Sequence, residues 1–535
     1  MSESLLRKEL HYGRRIVRTY VKRPRSVSDI FQMSLSLHAT AEAVVEGESR
    51  ITYLNLSQQV QAVAAGLQLN GIKKGDRIAL MCGNRTEFII TLLACAIIGA
   101  VTVPIGIRLQ TQEIEYICNH SGASILIHEA SLSNTLPISI NTPQVRQRFS
   151  VGGLAQGSLD FSKLSAEGTD FKTCDVEDDD LFLIAYTSGT TGRPKGAMVT
   201  HLCAVHACMN WAKALGTDAT ETAILAIPAS HIGGTAGVIL PILYLGGKIV
   251  LMWEFRTEPF LKLAEKERMT YGVFVPAIYN LCLLTPTFLD FDLSSWRWGV
   301  FSGAPMPEAT IRRMQAALPK LKMVSAYGAT EATSAIAIMP PDEGSNRLDC
   351  VGRTVECGDT IVMGEDDIEL PLGQVGELWI AGPMVVSGYW ADEEATEAGF
   401  KNGYWKSGDI GSVDDHGYLR VFDRRKEMIN RGGMKVFSAE VENILNEHPD
   451  IVEVAVLGHP DPVLGERVRA IIVSKVLIDI NEIQQFCRVR LADYKTPELI
   501  TIRELPLPRN SNGKVLKRLL ATEGDATCPV SVKTS

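Results

Sequence analysis

The sequence predicts an α/β protein: a large N-terminal domain of layered α/β subdomains plus a β-rich subdomain, followed by a small α+β C-terminal domain. Three observations lead there. Helical and strand-like patterns alternate through the first few hundred residues, which argues for mainly parallel strands covered by helices. Near Val362 to Gly382 the pattern changes to short strands and turns. After about residue 423 the alternation restarts on a smaller scale.

Residues 1–25 carry Arg14, Arg15, Arg18, Lys22, Arg23 and Arg25. They lack the apolar stretch of a secretory signal, and Glu3 and Glu9 break an acid-poor transit pattern. The expectation is a basic, solvated, loosely ordered extension. Leu56, Val60, Val63 and Leu67 recur at helical spacing, with Gly71 as a stop, and Arg77 to Cys82 reads as a buried strand. Phe88 to Ile107 is almost continuously apolar and about long enough to cross a bilayer. Gly99 and Pro104 divide it, so it reads as a buried helix followed by a core strand at Val101 to Ile105. Ile114 to Cys118 is helical in pattern and Ser124 to His128 strand-like. Ala236 to Met252 is another apolar run, broken by Pro241, Gly246, Gly247 and Lys248, and it too reads as soluble core.

In the C-terminal part, Ser438 is placed to cap a helix with Glu440 and Glu442 in its first turn. Ile451 to Leu457 follows as a strand. The expected organisation is an extension at 1–25, an N-terminal domain at 26–422, a C-terminal domain at 423–521 and a flexible tail at 522–535. A chain of 535 residues exceeds what one core usually supports, which agrees with this division. The net charge of −9 gives no global signal for nucleic-acid binding. The 11 cysteines include no CxxC pair, and Cys203 and Cys208 do not fit zinc-ligand spacing. They read as reduced, mostly buried thiols of a cytoplasmic protein.

The strongest local signal is Tyr186-Thr-Ser-Gly-Thr-Thr-Gly-Arg-Pro-Lys-Gly196, entered from the apolar run Leu181 to Ala185. Glycines let successive N–H groups turn toward an anion. The hydroxyls of Thr187, Ser188, Thr190 and Thr191 add donors, and Lys195 adds a point charge. That combination suits a polyphosphate. The loop is not a Walker A motif, because Gly196 and Ala197 follow the lysine where Ser or Thr is required. A plain surface turn would need neither four hydroxyls nor a lysine.

The segment resembles the signature loop of the adenylate-forming (AMP-binding) superfamily, which includes acyl-CoA synthetases, luciferase-like enzymes and peptide-synthetase adenylation domains. The resemblance implies that Thr187, Ser188, Gly189, Thr190, Thr191 and Lys195 orient the pyrophosphate end of ATP. Further motifs follow in the family's order. Ser302-Gly303-Ala304-Pro305 resembles the loop flanking adenine and the acyl pocket, though alone it is an ordinary turn. Ala326 and then Tyr327-Gly328-Ala-Thr330-Glu331 resemble the second ATP motif, which would set Thr330 on the α-phosphate and Glu331 on Mg2+. Alone, Thr-Glu fits a helix cap equally well.

Trp405-Lys-Ser-Gly-Asp409 resembles the ribose motif, with Ser407 in place of the usual Thr and Asp409 facing both hydroxyls. Asp423 matches the hinge and Arg424 the second ribose contact. Arg431, Gly432, Gly433 and Lys435 resemble the segment lining the coenzyme A channel, although a basic run is also what a solvated face shows. Pro508-Arg-Asn-Ser-Asn-Gly-Lys514 resembles the family's catalytic-lysine motif, with Asn512 where Ser is commoner. His231 matches the residue bordering the acyl pocket, and as a lone histidine among apolar residues it fits a satisfied core position equally well.

The resemblance therefore implies an ATP- and Mg2+-dependent ligase that makes an acyl-adenylate and passes the acyl group to coenzyme A. Its C-terminal domain would swing between half-reactions. Amino-acid activators usually carry an Asp in the stretch matching Pro228 to Gly234, and none is present. Transfer to a carrier protein, luciferase-like oxidation and a silent nucleotide-binding scaffold are the competing readings. The partners are then a carboxylic acid, ATP and coenzyme A, with no nucleic acid and no integral membrane span; a homodimer is left open. Ile232, Gly233 and the Phe301 to Ala304 stretch look uncharged, which favours a hydrophobic acyl or aryl acid.

Overall fold

The computed structural model describes residues 6–166, 168, 171–187, 194–344, 347–474, 476, 478–509 and 515–522. Elements form where the patterning predicts them. Helix Tyr53–Leu69 starts at Thr52, whose hydroxyl accepts the Asn55 N–H, and it buries Leu56, Val60, Val63 and Leu67. The apolar run after Arg85 becomes helix Thr86–Ile98, buried at every position except Glu87 and ended by Gly99 at φ +71°. Strand Val101–Pro104 follows. Burial on all sides explains its uniformly apolar sequence. Among the described residues no helix is long and apolar enough to cross a membrane.

Two large sheets carry the N-terminal domain. The first has seven strands, with Arg77–Met81 between Val101–Pro104 and Ile125–Glu129 in parallel. At its edge Leu181–Thr187 pairs antiparallel with Lys195–Thr200. In the second, Thr222–Leu225, Lys248–Leu251, Tyr271–Phe274, Trp298–Phe301 and Lys322–Ala329 run parallel. Strand Lys322–Ala329 is the junction: its first half pairs parallel with Trp298–Phe301, and its second half pairs antiparallel with Ser334–Ile338. The expected β-rich region continues from there as antiparallel strands, including Gly376–Ala381, Tyr404–Val413 and Tyr418–Arg424. It is hydrogen-bonded into the same sheet.

The C-terminal sheet is built from Ile429–Arg431, Met434–Val436, Ile451–Asp461, Gly465–Ser474 and Leu499–Arg503. Helices Ser438–Asn446 and Ile480–Arg488 cover it around Val441, Leu445, Val456, Val468 and Ile483. Asp409 and Arg424 are cross-strand partners, so the change of sheet follows Arg424. Ser438 is the first helical residue, and Phe437 takes the cap position. The Ser438 N–H is satisfied instead by Asp423 Oδ2 at 2.6 Å, so the cap comes from a residue 15 positions upstream. Glu442 lies beyond the first turn and pairs with Lys517 at 2.8 Å. Of the expected tail, residues 523–535 lie outside the described residues.

The N-terminus departs from expectation. Leu6–His11 and Arg15–Tyr20 form an antiparallel hairpin docked on the domain rather than a solvated extension. Its cations explain the difference, because they meet partners from far along the chain. Arg23 reaches Glu9 at 3.0 Å and Asp178 at 2.6 Å. Arg15 is buried and donates to two backbone carbonyls.

Two buried histidines complete the docking. His206 Nε2 accepts the Tyr20 N–H at 3.3 Å while its Nδ1 faces the Leu202 carbonyl at 2.8 Å. His201 Nδ1 accepts the Val27 N–H at 3.2 Å. Burial lowers them to about 3 and about 4 respectively. Unfolded histidine titrates near 6.5, so between that pH and about 4 the unfolded chain binds protons that the folded chain refuses. Their stabilising contribution is full above pH 6.5 and falls as pH drops through that window. Urea denaturation should therefore show stability falling by about 1.4 kcal/mol per pH unit for each of these residues below pH 6.5. A His206→Gln chain should show a shallower fall. An equal slope in both chains would contradict the assignment.

Candidate active site at the junction of the sheets

The ends of the loop expected to hold phosphate, Thr187 and Lys195, are fixed side by side. Thr187 pairs with Lys195 across the antiparallel edge strands, and its hydroxyl faces the Lys195 carbonyl at 3.5 Å. Ser188, Gly189, Thr190 and Thr191 lie outside the described residues. The Lys195 ammonium sits 5.1 Å from the centroid of the Tyr389 ring, a cation–π contact. The Tyr389 hydroxyl donates to Glu331 Oε1 at 2.9 Å. Tyr389 thus joins the lysine of one sheet edge to the carboxylate of the other motif.

Glu331 sits in a tight turn, Thr330–Ala332. Thr333 at φ 52° and Ser334 at φ 129° are strained, and the surroundings hold them there. Trp211 Nε1 donates to Ser334 Oγ at 2.9 Å. A Cβ on Gly328 would fall 2.0 Å from the Ser334 carbonyl oxygen, so only glycine lets the two strands approach this closely. Glu331 is half-buried, and among the described residues its second oxygen receives no hydrogen bond. A hard carboxylate oxygen linked through Tyr389 to the Lys195 ammonium fits Mg2+ shared with a phosphate.

A second cluster forms where Tyr327 of strand Lys322–Ala329 meets Asp409 of strand Tyr404–Val413. Asp409 is 3% exposed; Arg424 Nε lies 2.9 Å from its Oδ1, and Tyr327 donates its hydroxyl to Oδ2. Burial, reinforced by the Asp409 charge, pushes the Tyr327 phenol far above its ordinary value, so it remains a donor. Ser407 accepts the Asp409 N–H at 3.0 Å and donates to the Leu378 carbonyl at 2.6 Å. Only its hydroxyl is used, which is why Ser serves where Thr is usual. Ala326 is buried on the same strand as Tyr327. Gly303, Ala304 and Pro305 follow the carboxyl end of Trp298–Phe301, exposed beside the parallel strands. Carboxyl ends of parallel strands are where such sheets bind ligands.

His231 caps the short helix Ile232–Gly234, its Nδ1 accepting the Gly233 N–H at 3.2 Å. Its desolvated surroundings lower it to about 4, so it is neutral at physiological pH. Asn84, which sequence reasoning missed, holds the stretch before it. Its amide reaches the carbonyls of Leu225 at 2.9 Å, Ile227 at 3.0 Å and Met252 at 2.9 Å, and its Oδ1 accepts the Ala229 N–H at 2.8 Å. Asn84→Ala should cost about 2–3 kcal/mol in urea denaturation and raise KM for the acid more than KM for ATP. An unchanged KM for the acid would show that this loop does not border the acid.

Asp423 is buried between the domains, one oxygen on the Arg424 N–H at 2.8 Å and the other on Ser438. Gly432 and Gly433 form the two-residue turn of a hairpin between Ile429–Arg431 and Met434–Val436. Their φ values of 58° and 86° explain both glycines, since such a turn needs φ > 0 at both positions. Arg431 pairs with Glu498, and Lys435 with Glu365 at 3.3 Å. These residues are therefore not gathered with the Lys195–Glu331 cluster. Lys514 lies outside the described residues.

Residues 31–390 match the model of the AMP-binding enzyme family, and 440–514 match the model of its C-terminal domain. The chain belongs to the AMP-binding enzyme family. Feruloyl-CoA synthase of Amycolatopsis is 36% identical, covering 90% of this chain and 95% of the relative. Long-chain-fatty-acid–CoA ligase FadD13 of Mycobacterium tuberculosis is 33% identical over 90% and 94% respectively. Among solved structures, the anthranilate CoA ligase AuaEII in complex with anthranoyl-AMP aligns with a TM-score of 0.89 at 25% identity, covering 95% of this chain and 99% of that one. Within the adenylate-forming superfamily this AMP-binding enzyme sits in the acyl-CoA synthetase branch and is an acid–thiol ligase.

Proposed function

We propose that the site activates a hydrophobic aryl or acyl monocarboxylate and transfers it to coenzyme A. The carboxylate oxygen attacks the α-phosphorus of ATP, the bond to the β-phosphate oxygen breaks, and pyrophosphate leaves. The coenzyme A thiolate then attacks the acyl carbon and AMP leaves with the bonding pair. The observation that carries this is that two clusters meet beside one strand. Tyr327, Asp409 and Arg424 offer a rigid carboxylate and cation to a ribose. Lys195, Tyr389 and Glu331 offer a cation and a metal-ready carboxylate to phosphates. Both reacting groups are anions, so charge screening and in-line positioning supply most of the rate.

In this reading Thr187, Ser188, Gly189, Thr190, Thr191 and Lys195 hold the pyrophosphate end of ATP. Thr330 holds the α-phosphate, and Gly303, Ala304, Pro305, Ala326 and Gly328 shape the nucleotide's bed. Mg2+ held by Glu331 would offset charge on the phosphate oxygens. Lys514 contacts the carboxylate and α-phosphate as charge shifts. Asp423 is the pivot, and Arg431, Gly432, Gly433 and Lys435 guide the thiol.

The acid's class follows from its walls. The 227–234 and 301–305 stretches contain no charged residue apart from His231, which is neutral, and Ile232 and Phe301 are buried. Relatives named for ferulate, indoleacetate and long-chain fatty acids act on acids of this class. The ten described cysteines are unpaired and nine are buried, which suits the reducing cytoplasm. The test is a panel of aryl, fatty and amino acids, assayed for pyrophosphate release with and without coenzyme A. Turnover of aryl or fatty acids with coenzyme A is expected. Release that requires an amino acid and ignores coenzyme A would overturn the proposal.

A further inference from the structure

We propose that the N-terminal hairpin is a strap that positions the phosphate cluster of the active site, with Arg15 as its positioning residue. The inference rests on the reading of Lys195, Tyr389 and Glu331 given above. The hairpin precedes residues 31–390, the part that matches the AMP-binding family.

Arg15 is 6% exposed, and among the described residues it has no carboxylate partner. Its guanidinium donates to the Val386 carbonyl at 2.7 Å and the Ser387 carbonyl at 3.0 Å. It also lies 5.0 Å from the centroid of Phe400, whose ring meets Tyr389 at 5.8 Å. Burying an arginine on carbonyls and aromatic rings without a counter-charge is a costly way to gain stability. What it does provide is geometry: a planar fork that fixes two successive peptide groups.

Those peptides begin the segment that links the two halves of the phosphate cluster. The Val386 N–H donates to the Glu331 carbonyl at 2.9 Å. The Gly388 carbonyl accepts the Met198 N–H at 3.0 Å, and the Trp390 N–H donates to the Gly196 carbonyl at 2.7 Å. Between them Tyr389 bonds Glu331 and lies against Lys195. Five residues therefore set the spacing of Lys195 and Glu331, and Arg15 holds their start.

The same hairpin holds the other side of the loop's frame. Tyr12 N–H donates to Asp179 Oδ2 at 2.7 Å, and the Tyr12 hydroxyl meets Thr200 Oγ1 at 2.9 Å. Asp179 precedes strand Leu181–Thr187, and Thr200 ends strand Lys195–Thr200. The strap thus spans strands Leu181–Thr187 and Lys195–Thr200 and the 386–390 segment bonded to the second of them.

The test compares full-length variants by steady-state kinetics and thermal denaturation. Arg15→Met should raise KM for MgATP about tenfold while KM for the acid changes less than about twofold. Arg15→Lys, which keeps the charge but not the fork, should fall between, and it serves if Arg15→Met does not fold. Arg18→Met is the control, because Arg18 anchors the same hairpin to the Gly358 carbonyl and not to residues 386–390. It should leave KM for MgATP unchanged. Arg15→Met combined with Tyr389→Phe should be no worse than the more impaired single variant. Additive losses, equal rises in both KM values, or the same rise in Arg18→Met would overturn the strap. Unchanged KM for MgATP in Tyr389→Phe and Glu331→Gln would overturn the underlying site reading instead.

Discussion

Lys514→Ala should lower acid-dependent pyrophosphate release by about 10²–10³-fold while leaving thioester formation from a supplied acyl-adenylate within about threefold. In the first half-reaction two anions meet, and negative charge shifts from the carboxylate toward the bridging oxygen and the leaving pyrophosphate. An ammonium at that point stabilises the transition state more than the ground state, so its removal lowers kcat. In the second half-reaction a thiolate attacks an activated carbonyl and AMP departs. In the proposed mechanism the Lys514 ammonium would not be needed there, because the C-terminal domain would have turned about Asp423. The Gly432–Gly433 turn and Asp423 suit that motion, one as an exposed hairpin tip and the other as a buried joint. Rapid-quench measurement of both steps checks this, and equal losses in the two would remove Lys514 from its role.

Asp409→Ala should raise KM for ATP by about 10²-fold or more and cost about 3 kcal/mol of stability. Asp409 is almost wholly enclosed and is held by Arg424 at 2.9 Å and by the Tyr327 hydroxyl. Without it, the Tyr327 phenol loses its acceptor and Arg424 its counter-charge, and a ribose would meet an alanine instead of a carboxylate. Asp409→Asn keeps the shape and removes the charge, so its stability loss should be smaller with a similar rise in KM. Urea denaturation and initial-rate kinetics separate the two effects. An unaltered KM for ATP in both variants would move the ribose elsewhere.

Part of the candidate site is legible in the residues. Glycines, hydroxyls and a lysine between two strands read as a candidate anion loop; of the later motifs, Thr330 and Glu331 fall in a turn and Asp409 inside strand Tyr404–Val413. Helices were legible where one wholly buried segment met a clear stop, as at Thr86–Ile98 and Gly99. What escaped depends on partners remote in sequence. Arg15 reads as a solvated cation until the Val386 carbonyl, 371 residues away, is seen above it. Asn84 binds groups about 140 to 170 residues downstream, and Tyr389 finds Glu331 58 residues upstream. The cap of helix Ser438–Asn446 comes from Asp423, so local capping rules pointed to Ser438. Pattern reveals faces and turns, but side-chain contacts between elements appear only in the fold.

In the proposed reaction an acyl-adenylate forms on this chain before coenzyme A reacts. It is tested most directly by acid-dependent exchange of labelled pyrophosphate into ATP without coenzyme A, followed by its addition. Exchange is expected in its absence, then release of AMP and acyl-CoA in equal amounts once it is added. Formation of ADP and phosphate, or exchange that appears only with coenzyme A, would contradict it.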